Sequence, residues 1–176
     1  MRNDVAWIEK NQHWLFPFAY LFSRIILYLA LIPTSYYGFG DLPVYYNWTT
    51  LPGWPYFNYW VEYPPLFPFT SEIIFILSNG EVFLYDFILC VIIALAGSGT
   101  IFVFQKIAHQ IYQETVAHWR TVLFFTILLM LPYTWWYAEL ITVFLMILSV
   151  WWGISKRETL AGLGIAAGIL SKWFPV

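Results

Sequence analysis

The sequence predicts an all-α protein with about five membrane-spanning helices and one further helix that lies on the outer face of the membrane. Hydrophobic residues make up 61% of the 176 residues, and charged residues make up only 10%. The mean hydropathy is +0.67, and the apolar residues are gathered into long runs. A chain with so few charges has little means of covering a water-exposed surface. We therefore expect a multi-pass integral membrane protein made of one domain.

Composition and motif content also narrow the function classes. The formal net charge is −2 with scattered charges, which does not favour a nucleic-acid partner. The single cysteine, Cys90, lies in an apolar run, so no intramolecular disulfide forms and a packing role is expected. The sequence contains no glycine-rich phosphate loop, no His/Cys metal pattern and no Ser-His-Asp set. No cofactor is predicted.

The apolar runs place the elements in order along the chain. The first membrane helix is predicted over 13–36, and it is retained because no small-residue cleavage site follows it. An outward loop with an interfacial helix is predicted over 37–81, and further membrane helices over 82–176. The runs that predict them are 83–104, 122–136, 140–154 and 160–176. Because the chain stops inside the last run, we expect a longer protein with further helices downstream.

The apolar run 66–78 is predicted to lie on the membrane surface rather than to cross it. It is short, contains Glu72 and follows Pro64-Pro65, which fixes two φ angles and presets a helix start. If this run does not cross, all basic loops share the inner face, as the positive-inside rule requires. Those basic residues are Arg2, Lys10, Lys106, Arg120, Lys156 and Arg157. The segment 40–66 then lies outside, followed by an interfacial helix.

Segment 40–66 concentrates polar and aromatic residues between oily runs. Asp41 would lie at the membrane–water boundary, where a carboxylate ringed by aromatics can act as a general base. The alternative is a solvated turn acid beside Gly40 and Pro43. Tyrosines such as Tyr45, Tyr46 and Tyr63 fit an interfacial aromatic belt or a sugar-binding cleft.

Two basic residues fall within predicted membrane helices. Arg24 lies near the middle of the first helix, where a guanidinium needs a partner or a wet cavity unless it snorkels. Lys172 follows the glycine-rich stretch 162–168, whose small residues allow close helix packing. It either snorkels outward or faces an anionic group. Glu62 and Glu139 carry weaker signals taken alone.

The order of several short motifs resembles the membrane glycosyltransferases of the GT-C superfamily. The motifs are Asp41 with trailing tyrosines, Gly-Trp-Pro-Tyr at 53–56, Tyr-Pro-Pro-Leu at 63–66, Ala-Glu at 138–139, and Lys-Trp-Phe-Pro at 172–175. The chain is most similar to polyprenyl-phosphate-mannose-dependent mannosyltransferases, including the catalytic subunit of the first GPI mannosyltransferase and its prokaryotic relatives. The likeness covers residues 1–176 as the N-terminal part of one GT-C-like transmembrane domain. Many relatives carry a second acid where this chain has Pro43, so no metal is expected.

The resemblance implies transfer of a hexose, with mannose as the expected sugar, from a polyprenyl-phosphate or dolichol-phosphate donor with inversion. The acceptor is a glycan or glycolipid on the outer or lumenal face of a prokaryotic plasma membrane or endoplasmic reticulum. Membrane lipids are the other expected partners, and the fragment alone is expected to be inactive. Asp41 is the implied general base. Substrate binding is implied for Arg24, Tyr45, Tyr46, Glu62, Tyr63, Glu139 and Lys172.

A second function class remains open at this point. The chain could be part of a lipid or solute transporter or flippase, in which Arg24, Glu72 and Lys172 line one path. Transporters commonly show interrupted helices in two related halves, and no such repeat is evident here. A structural membrane subunit is a third option, but it leaves the acid and aromatic residues of 40–66 unexplained.

Overall fold

The computed structural model describes residues 2–31, 41–131, 134 and 137–172. These residues form seven helices and no strand, which confirms the all-helical prediction for this part of the chain. The helices are α1 (Arg2–Leu31), α2 (Leu42–Thr49), α3 (Leu66–Leu77), α4 (Val82–Ile111), α5 (Glu114–Met130), α6 (Glu139–Ile154) and α7 (Glu158–Ser171). The predicted helix ends at 32–36, 135–136 and 173–176, and Gly40, lie outside the described residues.

Three helices differ clearly in extent from the apolar runs that predicted them, and one of these, α5, covers Glu114–Met130 instead of 122–136. Helix α1 begins at Arg2 instead of residue 13, and α4 continues to Ile111 instead of ending near residue 104. Neither extension contains a proline or glycine, so polar residues prolong each helix at little cost. At these two ends the helix therefore extends past the apolar run that predicted it.

Helix α2 lies where the sequence predicted only an outward loop. A proline in its first turn presets the helical φ angle. Leu42, Tyr45 and Thr49 are buried, and their spacing of three and four residues places them on one face of the helix. The outward loop is thus partly helical, and α2 turns Tyr45 into the protein interior.

Helix α4 is the centre of the packing. It contacts α1, α5 and α6 along its length, and α6 in turn packs against α7. At Gly97 of α4 the neighbouring helices approach so closely that a Cβ would lie 2.3 Å from Tyr20 Cε1 and 2.8 Å from Leu140 Cδ2. This glycine therefore sets the distances from α4 to α1 and to α6.

Two helices of the described chain are long and apolar enough to cross a membrane. They are His13–Ala30, within α1, and Val82–Ile111, which is α4. Helices α3, α6 and α7 are apolar but shorter. This finding supports membrane association, while the full set of five spans and the interfacial position of α3 stay predictions.

The connection between α2 and α3 is an ordered turn. Gly53 has a φ of 98° and Tyr56 a φ of 64°, both in the left-handed region, and the Trp54 backbone N–H donates to Asn58 Oδ1 at 2.8 Å. The Tyr56 hydroxyl donates to the Tyr63 carbonyl oxygen. These bonds fold the connection back onto itself and fix where Tyr63 enters the protein.

Candidate functional site

The clearest polar constellation is the group Asp41, Tyr45, Tyr63, Glu139 and Lys172, which we name the Asp41 cluster. Asp41 precedes α2, and Tyr45 lies four residues later, on the same side of the helix. The Tyr45 hydroxyl donates to Asp41 Oδ2 at 3.0 Å. The Tyr63 hydroxyl donates to the same oxygen, also at 3.0 Å. Within the described chain Asp41 Oδ1 receives no hydrogen bond, and the residue is half-buried.

The second half of the cluster is an ion pair between residues at the ends of the two neighbouring helices α6 and α7. Lys172, just after α7, donates through Nζ to Glu139 Oε1 at the start of α6. The same Nζ lies 4.9 Å from the centroid of the Tyr63 ring, within cation–π range. Tyr63 therefore joins the two halves, because its hydroxyl binds Asp41 while its ring faces the lysine ammonium.

The environment keeps both phenols of the cluster protonated. Burial raises the pKa of Tyr45, and the neighbouring Tyr63 and Asp41 raise it further. Burial is also the main cause that raises the pKa of Tyr63. Since a phenol normally titrates near pH 10, both hydroxyls are hydrogen-bond donors at neutral pH. The Asp41 oxygen that they share is consequently held in a fixed orientation.

Arg24, which the sequence predicted to need a partner or a wet cavity within the first helix, has partners on α5. It is buried, and its Nη2 donates to the carbonyl oxygens of Leu128 at 2.9 Å and Leu129 at 2.8 Å. Both carbonyls belong to the last turn of α5, where the helix itself supplies no donors. Its guanidinium also lies 4.7 Å from the Tyr20 ring centroid. Arg24 thus caps α5 and ties it to α1.

Tyr46 makes its contacts outside the five residues of the Asp41 cluster. The Tyr46 hydroxyl donates to the Gly80 carbonyl oxygen at 2.6 Å, and its ring packs edge-on against Tyr85 at 5.3 Å. Glu62 has an exposed side chain. The structure therefore brings together five of the eight residues that the sequence pointed to.

A second constellation was not recognised as a unit from the sequence. It consists of Tyr59, Ser71, Glu72 and Tyr85, which we name the Glu72 cluster. The Tyr59 hydroxyl donates to Glu72 Oε1, and the Ser71 and Tyr85 hydroxyls share a hydrogen bond. Glu72 is only 6% exposed, and burial raises its pKa. The available signal in the sequence was Glu72, an acid inside an apolar run. Its partner Tyr59 comes from the connection between α2 and α3, which the apolar run does not reveal.

The described residues contain no group of three or more His, Cys, Asp or Glu side chains arranged to hold a metal ion. The expectation of a metal-independent site stays a prediction. Comparison of the chain with protein-family models, curated proteins and solved structures found no match. Functional inference therefore depends on the geometry of the two clusters and on the motif order.

Proposed function

We propose that this protein is a membrane glycosyltransferase of the GT-C type. In this proposal it transfers a hexose, most simply mannose, from a polyprenyl-phosphate donor to an acceptor hydroxyl with inversion. The observation that carries the proposal is Asp41, whose Oδ2 is held by two phenols while its Oδ1 faces no donor among the described residues. A carboxylate oriented in this way, with a lysine ammonium nearby, suits a base beside an anionic leaving group.

The proposed chemistry uses Asp41 Oδ1 as the proton acceptor. The acceptor hydroxyl donates its proton to Oδ1 while its oxygen attacks C1 of the donor sugar. The bond from C1 to the phosphate oxygen breaks, and its electron pair leaves with the phosphate. Because attack and departure occur on opposite faces of the sugar, the configuration inverts. Such base assistance typically contributes about 10²–10⁴-fold in rate.

Lys172 is the proposed partner of the leaving phosphate. A preorganised positive charge stabilises the negative charge that develops on the departing group, so this role needs no bound metal. The Tyr45 and Tyr63 rings offer the apolar faces and hydroxyl tips that sugars bind. Glu139 is the nearby acceptor for sugar hydroxyls. Contacts of the substrate with Arg24, Tyr46 and Glu62 stay predictions from the resemblance.

The membrane setting of the proposal has partial support. A polyprenyl tail stays in the bilayer, so its phosphate and sugar react at the interface. Helix α3, which would lie along that interface, exposes four large apolar side chains. They are Leu66, Ile73, Ile76 and Leu77. We infer an outer or lumenal active face and about five membrane helices in this chain.

The transporter or flippase alternative requires Arg24, Glu72 and Lys172 to line one path. In the described structure Arg24 bonds the end of α5, Glu72 bonds Tyr59, and Lys172 pairs with Glu139. These separate engagements favour the transferase proposal.

The direct test is transfer of radiolabelled mannose from polyprenyl-phosphate mannose in membranes that contain the full-length protein. We expect label in a product that control membranes lacking the protein do not form. Unlabelled polyprenyl-phosphate glucose and mannose, added as competitors, identify the donor sugar. Membranes that accumulate the protein and form no labelled product above the control would reject the proposal.

A further inference from the structure

We propose that Glu139 is an internal competitor that occupies the anion-binding position of Lys172 until a phosphate-bearing ligand displaces it. The identity of that ligand as a polyprenyl phosphate rests on the proposed function. The anion site itself rests on the contacts around Lys172. In this view the ion pair is the empty form of the site, and the ligand phosphate takes the place of the Glu139 carboxylate.

The position of the pair makes this exchange possible. Helices α6 and α7 are joined by a tight turn in which Lys156 has a φ of 58°, so the helices run antiparallel and their far ends meet. Glu139 lies at the far end of α6 and Lys172 at the far end of α7, so the two residues meet at the same end of the helix pair. The side chains of Glu139 and Lys172 are 36% and 24% exposed, so a ligand can reach both. A partly exposed ion pair is a weak interaction and opens easily.

Glu139 carries a second sign that the site is incomplete. Its Oε2 is buried, and no hydrogen-bond donor among the described residues reaches it. A buried carboxylate oxygen without a donor is unfavourable, whereas a hydroxyl from a ligand would satisfy it. The site therefore matches a ligand that presents a phosphate to Lys172 and a hydroxyl to Glu139. A sugar attached to a phosphate has this combination.

Charge explains why Glu139 limits the affinity for anions. The Asp41 cluster holds two carboxylates and one ammonium, so an entering phosphate meets a negative surplus. Glu139→Gln removes one negative charge and the competing partner of Lys172, while the amide keeps the shape of the side chain. The affinity for phosphate should then rise, by about fivefold for one unit charge at contact distance in a water-like dielectric.

The experiment measures binding to the full-length protein in detergent, with no requirement for sugar transfer. The probes are a short-chain polyprenyl phosphate, the matching polyprenol and inorganic phosphate. We expect Glu139→Gln to bind the polyprenyl phosphate about fivefold more tightly than the unaltered protein does. The Lys172→Ala variant should bind the polyprenyl phosphate no more tightly than it binds the polyprenol. Inorganic phosphate that tightens in parallel indicates recognition of the phosphate alone, whereas no gain with it indicates that the lipid tail is also required.

Matched controls separate the exchange from general charge effects. Glu114→Gln and Lys106→Ala remove the same charges at exposed positions on α5 and α4, and both should bind like the unaltered protein. Unchanged or weaker binding in Glu139→Gln, or unchanged binding in Lys172→Ala, would overturn the proposal. A gain of affinity cannot come from misfolding. Phosphate binding without any sugar transfer would reject the transferase proposal and leave the exchange standing.

Discussion

The Asp41 cluster and the Glu72 cluster use the same chemical pair, a carboxylate that accepts a phenol hydrogen bond, in opposite surroundings. Glu72 is 6% exposed, is held by Tyr59 and lies in the middle of α3. Asp41 is half-buried, receives two phenols on one oxygen and has a lysine beside one of those phenols. A closed pair of this kind stabilises the fold. An open one leaves a carboxylate oxygen accessible to a ligand, which is what the proposed base role of Asp41 requires.

The largest expected difference between the clusters is in catalysis. Asp41→Asn keeps an acceptor for Tyr45 and Tyr63 but removes the base, so transfer should fall by about 10²–10⁴-fold. Glu72→Gln, which alters the other carboxylate, should retain transfer when compared at equal protein in membranes. Both are measured with labelled polyprenyl-phosphate mannose. Full activity in Asp41→Asn would end the assignment of Asp41 as the base.

The second difference is in stability, and here the Glu72 cluster should be the more sensitive. Tyr59→Phe leaves a buried carboxyl without its phenol, which should cost about 1–3 kcal/mol. Tyr63→Phe leaves Asp41 with Tyr45 and access to solvent, so its loss should stay below about 1 kcal/mol. Thermal unfolding of the two variants in the same detergent measures both. Equal decreases in melting temperature would show that the clusters do not differ in this way.

The smallest expected effect is a pH dependence that comes from Glu72. Its pKa is raised above 4.5 in the folded protein, so above pH 4.5 the folded state binds the proton more tightly than the unfolded state does. Stability should therefore decrease as the pH rises from about 4.5 to the folded pKa, and level off above it. Melting temperatures at stepped pH values measure the slope. Glu72→Gln should remove this component, and an unchanged slope in that variant would assign it to other groups.

Much of the fold was predictable because hydropathy and helix breakers act locally. The long apolar runs predicted an all-helical chain, and the structure confirms this for the residues that it describes. Helix α2 was missed because its buried positions are separated by proline and aromatic residues that also fit a loop. Only three positions, Leu42, Tyr45 and Thr49, mark its inner face. Eight residues give too short a pattern to decide between the two.

Less of the site was predictable, because its contacts are distant in sequence. The hydrogen bond from Tyr45 to Asp41 joins residues four positions apart, so it can be predicted once α2 is known to be a helix. The pair of Lys172 with Glu139 spans 33 residues and depends on how α6 and α7 turn back. Arg24 illustrates the limit most clearly. It donates to backbone carbonyls at the end of α5, and a contact with the backbone cannot be predicted from a pattern of side chains.

The close approach at Gly97 has a consequence for which half of the Asp41 cluster can move. Leu140 packs onto that glycine, so the start of α6, and Glu139 with it, is clamped to the central helix. Helix α7 packs mainly on α6, and Lys172 follows its last residue on a long, flexible side chain. Within the Asp41 cluster, the helix that carries Glu139 is thus held in place, whereas the Lys172 side chain is free to change its conformation. The backbone at the start of α6 should therefore stay in place when the ion pair between Glu139 and Lys172 opens, and the two side chains should make the movement.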